Sequence, residues 1–166
     1  MTRAGSDAPR LRSGSGYDLT PLSAPEVERL ARRLSAEERR VLLDHGTESP
    51  FCGALLDNKE PGVYACRLCG LPLFRSGTKF ESGTGWPSFF DPFDRDHLSF
   101  VEDRAYGMTR TEIRCRRCQG HLGHVFPDGP PPTGHRYCMN SAALEFFPDG
   151  EEPPQPAVDG EPDEGA

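Results

Sequence analysis

No apolar run in this chain approaches the roughly 18 residues that a membrane-spanning helix needs. Nor does an apolar stretch follow the arginines of its opening segment, MTRAGSDAPRLRSGSG. Neither a helical membrane span nor a secretory leader is expected, and the expected compartment is the cytoplasm, where disulfides rarely persist as staples. Lysine is nearly missing: only Lys59 and Lys79 occur among 19 basic residues. The net charge of −7 does not describe the body of the chain. Residues 1–61 carry a net −1 and residues 62–147 a net +1, while residues 148–166 hold seven acids and no base. A near-neutral body short of lysine offers no nucleic-acid surface. With 35% hydrophobic residues, 18 Gly and 17 Pro, short strands and many turns are expected rather than a helical bundle. A length of 166 residues suits one domain with tails.

Residues 1–16, rich in Gly, Ser, Arg and Pro, read as a disordered segment, and residues 148–166 as a disordered acidic Pro-rich tail. Between them, residues 17–147 form the expected domain. Ser23 with Glu26, and Ser35 with Glu38, have capping-box spacing, and Pro25 suits a first turn. Val27, Leu30, Ala31 and Leu34 share one helical face, Val41 and Leu42 add apolar contacts, and Gly46 after His45 marks a stop. Two short helices bracing the core are the result. From Gly62 the pattern becomes VYAC, LPLF, SFFDPF, HLSFV, GMTRTEIRC, HLGHVF, RYCM and AALEFF, separated by turn formers. Such runs read as antiparallel strands in a mainly β sandwich or small barrel.

Cys66-Arg-Leu-Cys69 and Cys115-Arg-Arg-Cys118 form two CxxC pairs 45 residues apart. Each pair can aim two thiolates at one ion from a tight turn, with Gly70 and Gly120 close behind. Together they supply the closed tetrahedral four-thiolate set that structural zinc prefers. A thioredoxin-like redox pair would need a βαβ setting that neither has. A nucleic-acid zinc ribbon draws slight support from Arg114, Arg116 and Arg117, against the balanced charge of the body.

Cys138 has no second cysteine at knuckle spacing. A lone strand cysteine is more often a buried small hydrophobe than a nucleophile. Its neighbours alter that reading: Arg136 and Asn140, two residues to either side, share its face of a strand, and a nearby cation favours the thiolate. His121 and His124 in HLGHVFPDGP, with Asp128 nearby, make a hydrogen-bonding and proton-donating set.

KFESGTGWPSF (79–89), RCRRCQGHLGHVFPDGP (114–130) and GHRYCMNSAAL (134–144) resemble methionine-R-sulfoxide reductases of the MsrB family. GTESPFCG (46–53) and DNKEPGVYACRLCG (57–70) resemble the N-terminal half of that family, so the similarity runs over residues 34 to 147. The resemblance implies two antiparallel sheets, with a structural four-cysteine Zn2+ site of Cys66, Cys69, Cys115 and Cys118 lying opposite the active site. It implies a peptide-methionine (R)-S-oxide reductase acting on oxidised proteins and recycled by thioredoxin. By the same resemblance Cys138 is the catalytic cysteine and Trp86 the hydrophobic wall for the substrate methyl. His121, His124 and Asn140 hold the sulfoxide oxygen and water, supported by Arg136 and Asp128. Many members carry the resolving cysteine where this chain has Thr84; Cys52, the remaining free cysteine, takes that role here. A monomer with no nucleic-acid or membrane partner is expected. The alternative is a non-catalytic zinc-pinned β-domain that binds a ligand or protein.

Overall fold

The computed structural model describes residues 12–156. Helices α1 (Ala24–Ala31) and α2 (Ala36–Leu42) each open on a complete capping box. Ser23 Oγ accepts from the Glu26 N–H at 3.3 Å while Glu26 Oε1 accepts from the Ser23 N–H at 3.1 Å; Ser35 and Glu38 repeat this at 3.1 and 3.0 Å. Helices of seven or eight residues are not stable alone. These two rely on their caps and on Ala31, Leu34, Val41 and Leu42, all buried in the common core. The left-handed position after α2 falls on His45 (φ 59°) rather than on Gly46, whose N–H donates to Arg40 O.

Strands β1 (Gly62–Cys66), β2 (Pro72–Arg75) and β9 (Leu144–Pro148) form a three-stranded antiparallel sheet in the order β2-β1-β9. The second sheet has six antiparallel strands: β3 (Lys79–Phe80), β4 (Ser88–Phe89), β8 (Arg136–Met139), β7 (His121–Phe126), β6 (Arg110–Cys115) and β5 (Leu98–Asp103), in that spatial order. Every apolar run picked out in the sequence contains a strand; β3 is additional. The sheets meet through aromatic side chains. Phe74 of β2 stacks on Phe89 of β4 at 4.4 Å between centroids, and Tyr64 of β1 meets Phe89 edge-on at 5.1 Å.

Strand β7 is irregular in a way that matters for the site. Ile113 pairs with Gly123 but Arg114 pairs with His121, so Leu122 is an extra residue, a β-bulge. Residues three apart in a regular strand point to opposite faces; one bulged residue between them restores a common face. His121 and His124 therefore both stand on the face that carries Glu112.

Contacts among the described residues reach beyond 17–147 at both ends. Arg12 bridges to Asp18, and Ser13 Oγ lies 2.9 Å from Nε2 of the buried His97. Past β9, Gln155 Nε2 donates to Gly70 O at 2.7 Å and Pro153 is buried. The rest of the two segments expected to be disordered, residues 1–11 and 157–166, lies outside the described residues. Among the described residues no helix is long and apolar enough to cross a membrane.

Candidate active site and metal centre

Four cysteines converge from two turns of like construction. In the first, Cys66 N–H donates to Leu71 O and Gly70 N–H to Cys66 O; in the second, Cys115 N–H donates to Gly120 O and Gln119 N–H to Cys115 O. Each turn needs a left-handed residue directly after its second cysteine. Gly70 supplies it at φ 85° in the first turn and Gln119 at φ 63° in the second. All four cysteines are buried, with their sulfurs within 4.8 Å of one another. Cys66 and Cys118 stand 3.6 Å apart and Cys69 and Cys115 3.4 Å, far beyond disulfide bonding. A tetrahedral ion with metal–sulfur bonds of about 2.3 Å sets neighbouring sulfurs about 3.8 Å apart, so the donor set fits a metal of that kind. The three arginines around the second turn are otherwise engaged. Arg117 is buried, its Nε–H donating to Thr20 O; Arg114 pairs with Glu112; Arg116 reaches Asp96 O.

Strand β6 links this centre to a second site. Cys115 ends the strand at the metal cluster, and Arg110 begins it about 17 Å away, by the rise of five residues. Arg110 lines a cavity of about 250 Å³ whose wall also includes Trp86, His124, Phe126, Arg136 and Cys138. Cys138 sits at the centre of the sheet, paired with His124 on β7 and with Ser88 on β4, and its side chain is partly exposed.

Several side chains act on the Cys138 sulfur. Burial pushes its thiol above the ordinary value, opposed by the Arg136 guanidinium and a hydrogen bond with Thr84, while the Glu48 charge pushes it further up. The cation two residues away thus acts in the expected direction, but burial outweighs it. Arg136 is held on the cavity wall by Asp128, which lies outside the cavity, with Nε and Nη2 donating to the two carboxylate oxygens at 2.9 and 3.1 Å, and its guanidinium lies 4.5 Å over the Phe126 ring. Asp128 itself is exposed and reaches the site only through Arg136.

The two histidines are each fastened to a carboxylate that sequence reasoning missed. His124 Nε2 lies 2.8 Å from Asp103 Oδ2, which also accepts from Arg110 at 3.1 Å. The Ala105 N–H, then His124 and Arg110, hold the Asp103 carboxyl down at about 2. His121 is buried, with Nδ1 2.7 Å from Glu112 Oε2, and the same oxygen lies 3.0 Å from Nδ1 of the half-exposed His45. A carboxylate only accepts, so His121 and His45 donate their Nδ1–H and His124 its Nε2–H. Burial depresses the His121 value, with Glu112 opposing. Burial alone would raise Glu112, but its bonds from Arg114 and His121 bring it below the usual range. His121 does not line the cavity; its ring lies 5.5 Å from that of His124.

Asn140 lines the cavity and is buried. Its Oδ1 accepts from the Glu48 N–H at 2.9 Å and its Nδ2 donates to Leu122 O at 3.1 Å. Trp86 is fixed by its Nε1–H donating to Glu48 O at 2.9 Å. Cys52 is exposed and does not line the cavity. Its neighbour Phe51 donates its N–H to Gly85 O at 2.7 Å, one residue from Trp86. No short-range signal marks Asp103, Glu112 or Glu48, since their partners lie 21, 9 and up to 94 positions away.

Comparison with known proteins gives a consistent result. A family model described as the SelR domain matches residues 34–148. A protein of Caulobacter vibrioides (strain NA1000 / CB15N) named peptide methionine sulfoxide reductase MsrB is 62% identical over 144 residues, spanning 87% of this chain and 91% of its own. Proteins of the same name from Xylella fastidiosa (strain M23) and Escherichia coli O45:K1 (strain S88 / ExPEC) are 61% and 54% identical, over 81% and 76% of this chain and 86% and 92% of their own.

Proposed function

The chain belongs to the SelR, or MsrB, family, and from that premise we propose that it is a peptide-methionine (R)-S-oxide reductase whose nucleophile is Cys138. The observation that carries this reading is a half-buried sulfur on the wall of a cavity that is apolar at Trp86 and Phe126 and polar at His124, Arg110 and Asn140. A sulfoxide sulfur is pyramidal, so its two epimers are different shapes. An apolar wall that seats the methyl and polar groups that seat the oxygen accept only one hand.

The Cys138 sulfur attacks the sulfoxide sulfur, its proton and that of a histidine being available to the oxygen, with His124 the donor on the cavity wall. The S–S bond formed by that attack and the S–O bond then both break as the oxygen passes to Cys138, giving methionine and a sulfenic acid. The attacking form is the thiolate, which Arg136 and Thr84 favour against the effect of burial. Cys52 then condenses with the sulfenic acid, releasing water and forming a disulfide, which exchange with the dithiol of thioredoxin reopens. Thr84 hydrogen-bonds to Cys138 at the position where many relatives hold their resolving cysteine, leaving resolution to Cys52. The four buried thiolates suit a structural zinc ion, which would pin the two sheets together. Oxidised proteins are the substrates, and the expected state is a cytoplasmic monomer.

The test is turnover on separated R and S sulfoxide epimers with dithiothreitol, followed by thiol counting on the oxidised enzyme. The R epimer alone should react, with two thiols lost per chain; Cys138→Ser should be inert, and normal turnover by that variant would refute the assignment. Cys52→Ser should still form one methionine per enzyme but lose recycling by thioredoxin.

A further inference from the structure

Glu48 is a buried acid in the segment between α2 and β1, 6% exposed, and no part of the chemistry above requires it. Its bonds run to four residues at once. Oε2 accepts from the Ser141 N–H at 2.8 Å and Oε1 from the Ala142 N–H at 3.0 Å, which fixes the carboxylate on the turn just after Cys138. Its own N–H donates to Asn140 Oδ1, and its C=O accepts from the Trp86 indole, both at 2.9 Å. One residue thus holds the apolar wall and the polar side of the cavity to a single turn.

The chain returns to that turn five residues later. A Cβ added to Gly53 would stand 2.2 Å from Ser141 Oγ and 2.5 Å from Glu48 Oε2, and Leu55 N–H donates to Ser141 Oγ at 3.3 Å. Residues 49–52 form a short loop with both feet on the same turn, and Cys52 is exposed on it. The loop is latched by Phe51, a non-glycine residue at φ 66° whose N–H bonds to Gly85. Left-handed backbone is strained for phenylalanine, so opening the latch relieves strain, whereas breaking either foot would strip buried amides of partners.

We propose that Glu48 is a positioning residue that anchors Trp86, Asn140 and the base of the Cys52 loop to the Asn140–Ala142 turn. The inference rests on the reductase reading of Trp86 and Cys52.

The experiment uses the full-length, metal-loaded protein with Glu48→Gln. Glutamine keeps the size but sets an NH2 against one of two backbone N–H groups. Trp86 is the single tryptophan, so its fluorescence reports the wall directly. In a variant with unchanged far-UV circular dichroism, acrylamide quenching of Trp86 should rise about twofold. KM for the R sulfoxide should rise about tenfold, a larger change than in the single-turnover rate at saturating substrate, which loss of the Glu48 charge near Cys138 also touches. Gly53→Ala, which displaces the same carboxylate from its other side at ordinary φ, should move KM and quenching in the same direction. It decides the matter if Glu48→Gln fails to fold. A folded variant with wild-type KM and quenching overturns the inference. Failure of the wild type to reduce either epimer would instead remove the functional reading on which it rests.

Discussion

At the scale of single residues, Cys138 is governed by opposing influences of known sign. Burial raises its thiol, Arg136 lowers it, and Asp128 holds Arg136 in place while partly neutralising it. Arg136→Met should therefore shift the pH midpoint of Cys138 alkylation upward in a Cys52→Ser background, and Asp128→Asn should shift it downward provided Arg136 keeps its place. Asp103 gives a second pH-dependent outcome. Its folded value of about 2 lies below the ordinary 3.8, so the ionised form is favoured by folding. The stability it contributes is complete above pH 3.8 and is lost as the pH falls towards 2, a contribution of order 1–2 kcal/mol after discounting for its partial exposure. Urea unfolding at pH 6 and pH 2.5 should show a smaller acid loss in Asp103→Asn than in wild type; equal losses would mean that Asp103 gains nothing from its partners.

At the scale of elements, legibility in the sequence follows the range of the interaction. Both capping boxes and both CxxC turns lie within a few residues, and each forms where its spacing indicates. The apolar runs become strands because alternation is local as well. HLGH is harder to interpret: three-residue spacing in a strand argues against a shared site, and only the bulge at Leu122 reconciles the two histidines. Gly123, between Leu122 and His124, shows what the bulge requires, since an added Cβ would lie 2.0 Å from the Cys138 carbonyl oxygen. Gly123→Ala should force β7 and β8 apart, costing about 2 kcal/mol or more in stability. It should also slow the first turnover, because His124 and Cys138 face each other across that pair. Denaturant melts and single-turnover rates check this together; a variant as stable and as fast as wild type would show that the contact relaxes freely. Glu48, Asp103 and Glu112 were not legible, because each acquires its meaning from a partner that only the folded sheets bring near.

At the scale of the whole molecule, the four-cysteine centre is the joint between the two sheets. Cys66 ends β1 of the smaller sheet and Cys115 ends β6 of the larger, with Cys69 and Cys118 in the turns just beyond. The core that remains is modest, and part of it, including Leu68 and Leu71, belongs to the turns themselves. A bound ion contributes its binding free energy to folding, since the unfolded chain holds no preformed site. The cavity lies at the far end of β6, so losing the metal should not alter the chemistry at Cys138 in molecules that stay folded. Cys115→Ser, or wild type treated with a strong chelator at 37 °C, should therefore lose circular dichroism and activity in the same proportion, while the remaining activity keeps its wild-type KM. Metal content, ellipticity and turnover measured on one sample distinguish this from direct participation. Activity lost while the fold is retained would instead make the metal part of the active site and break the division of labour between the two ends of the sheet.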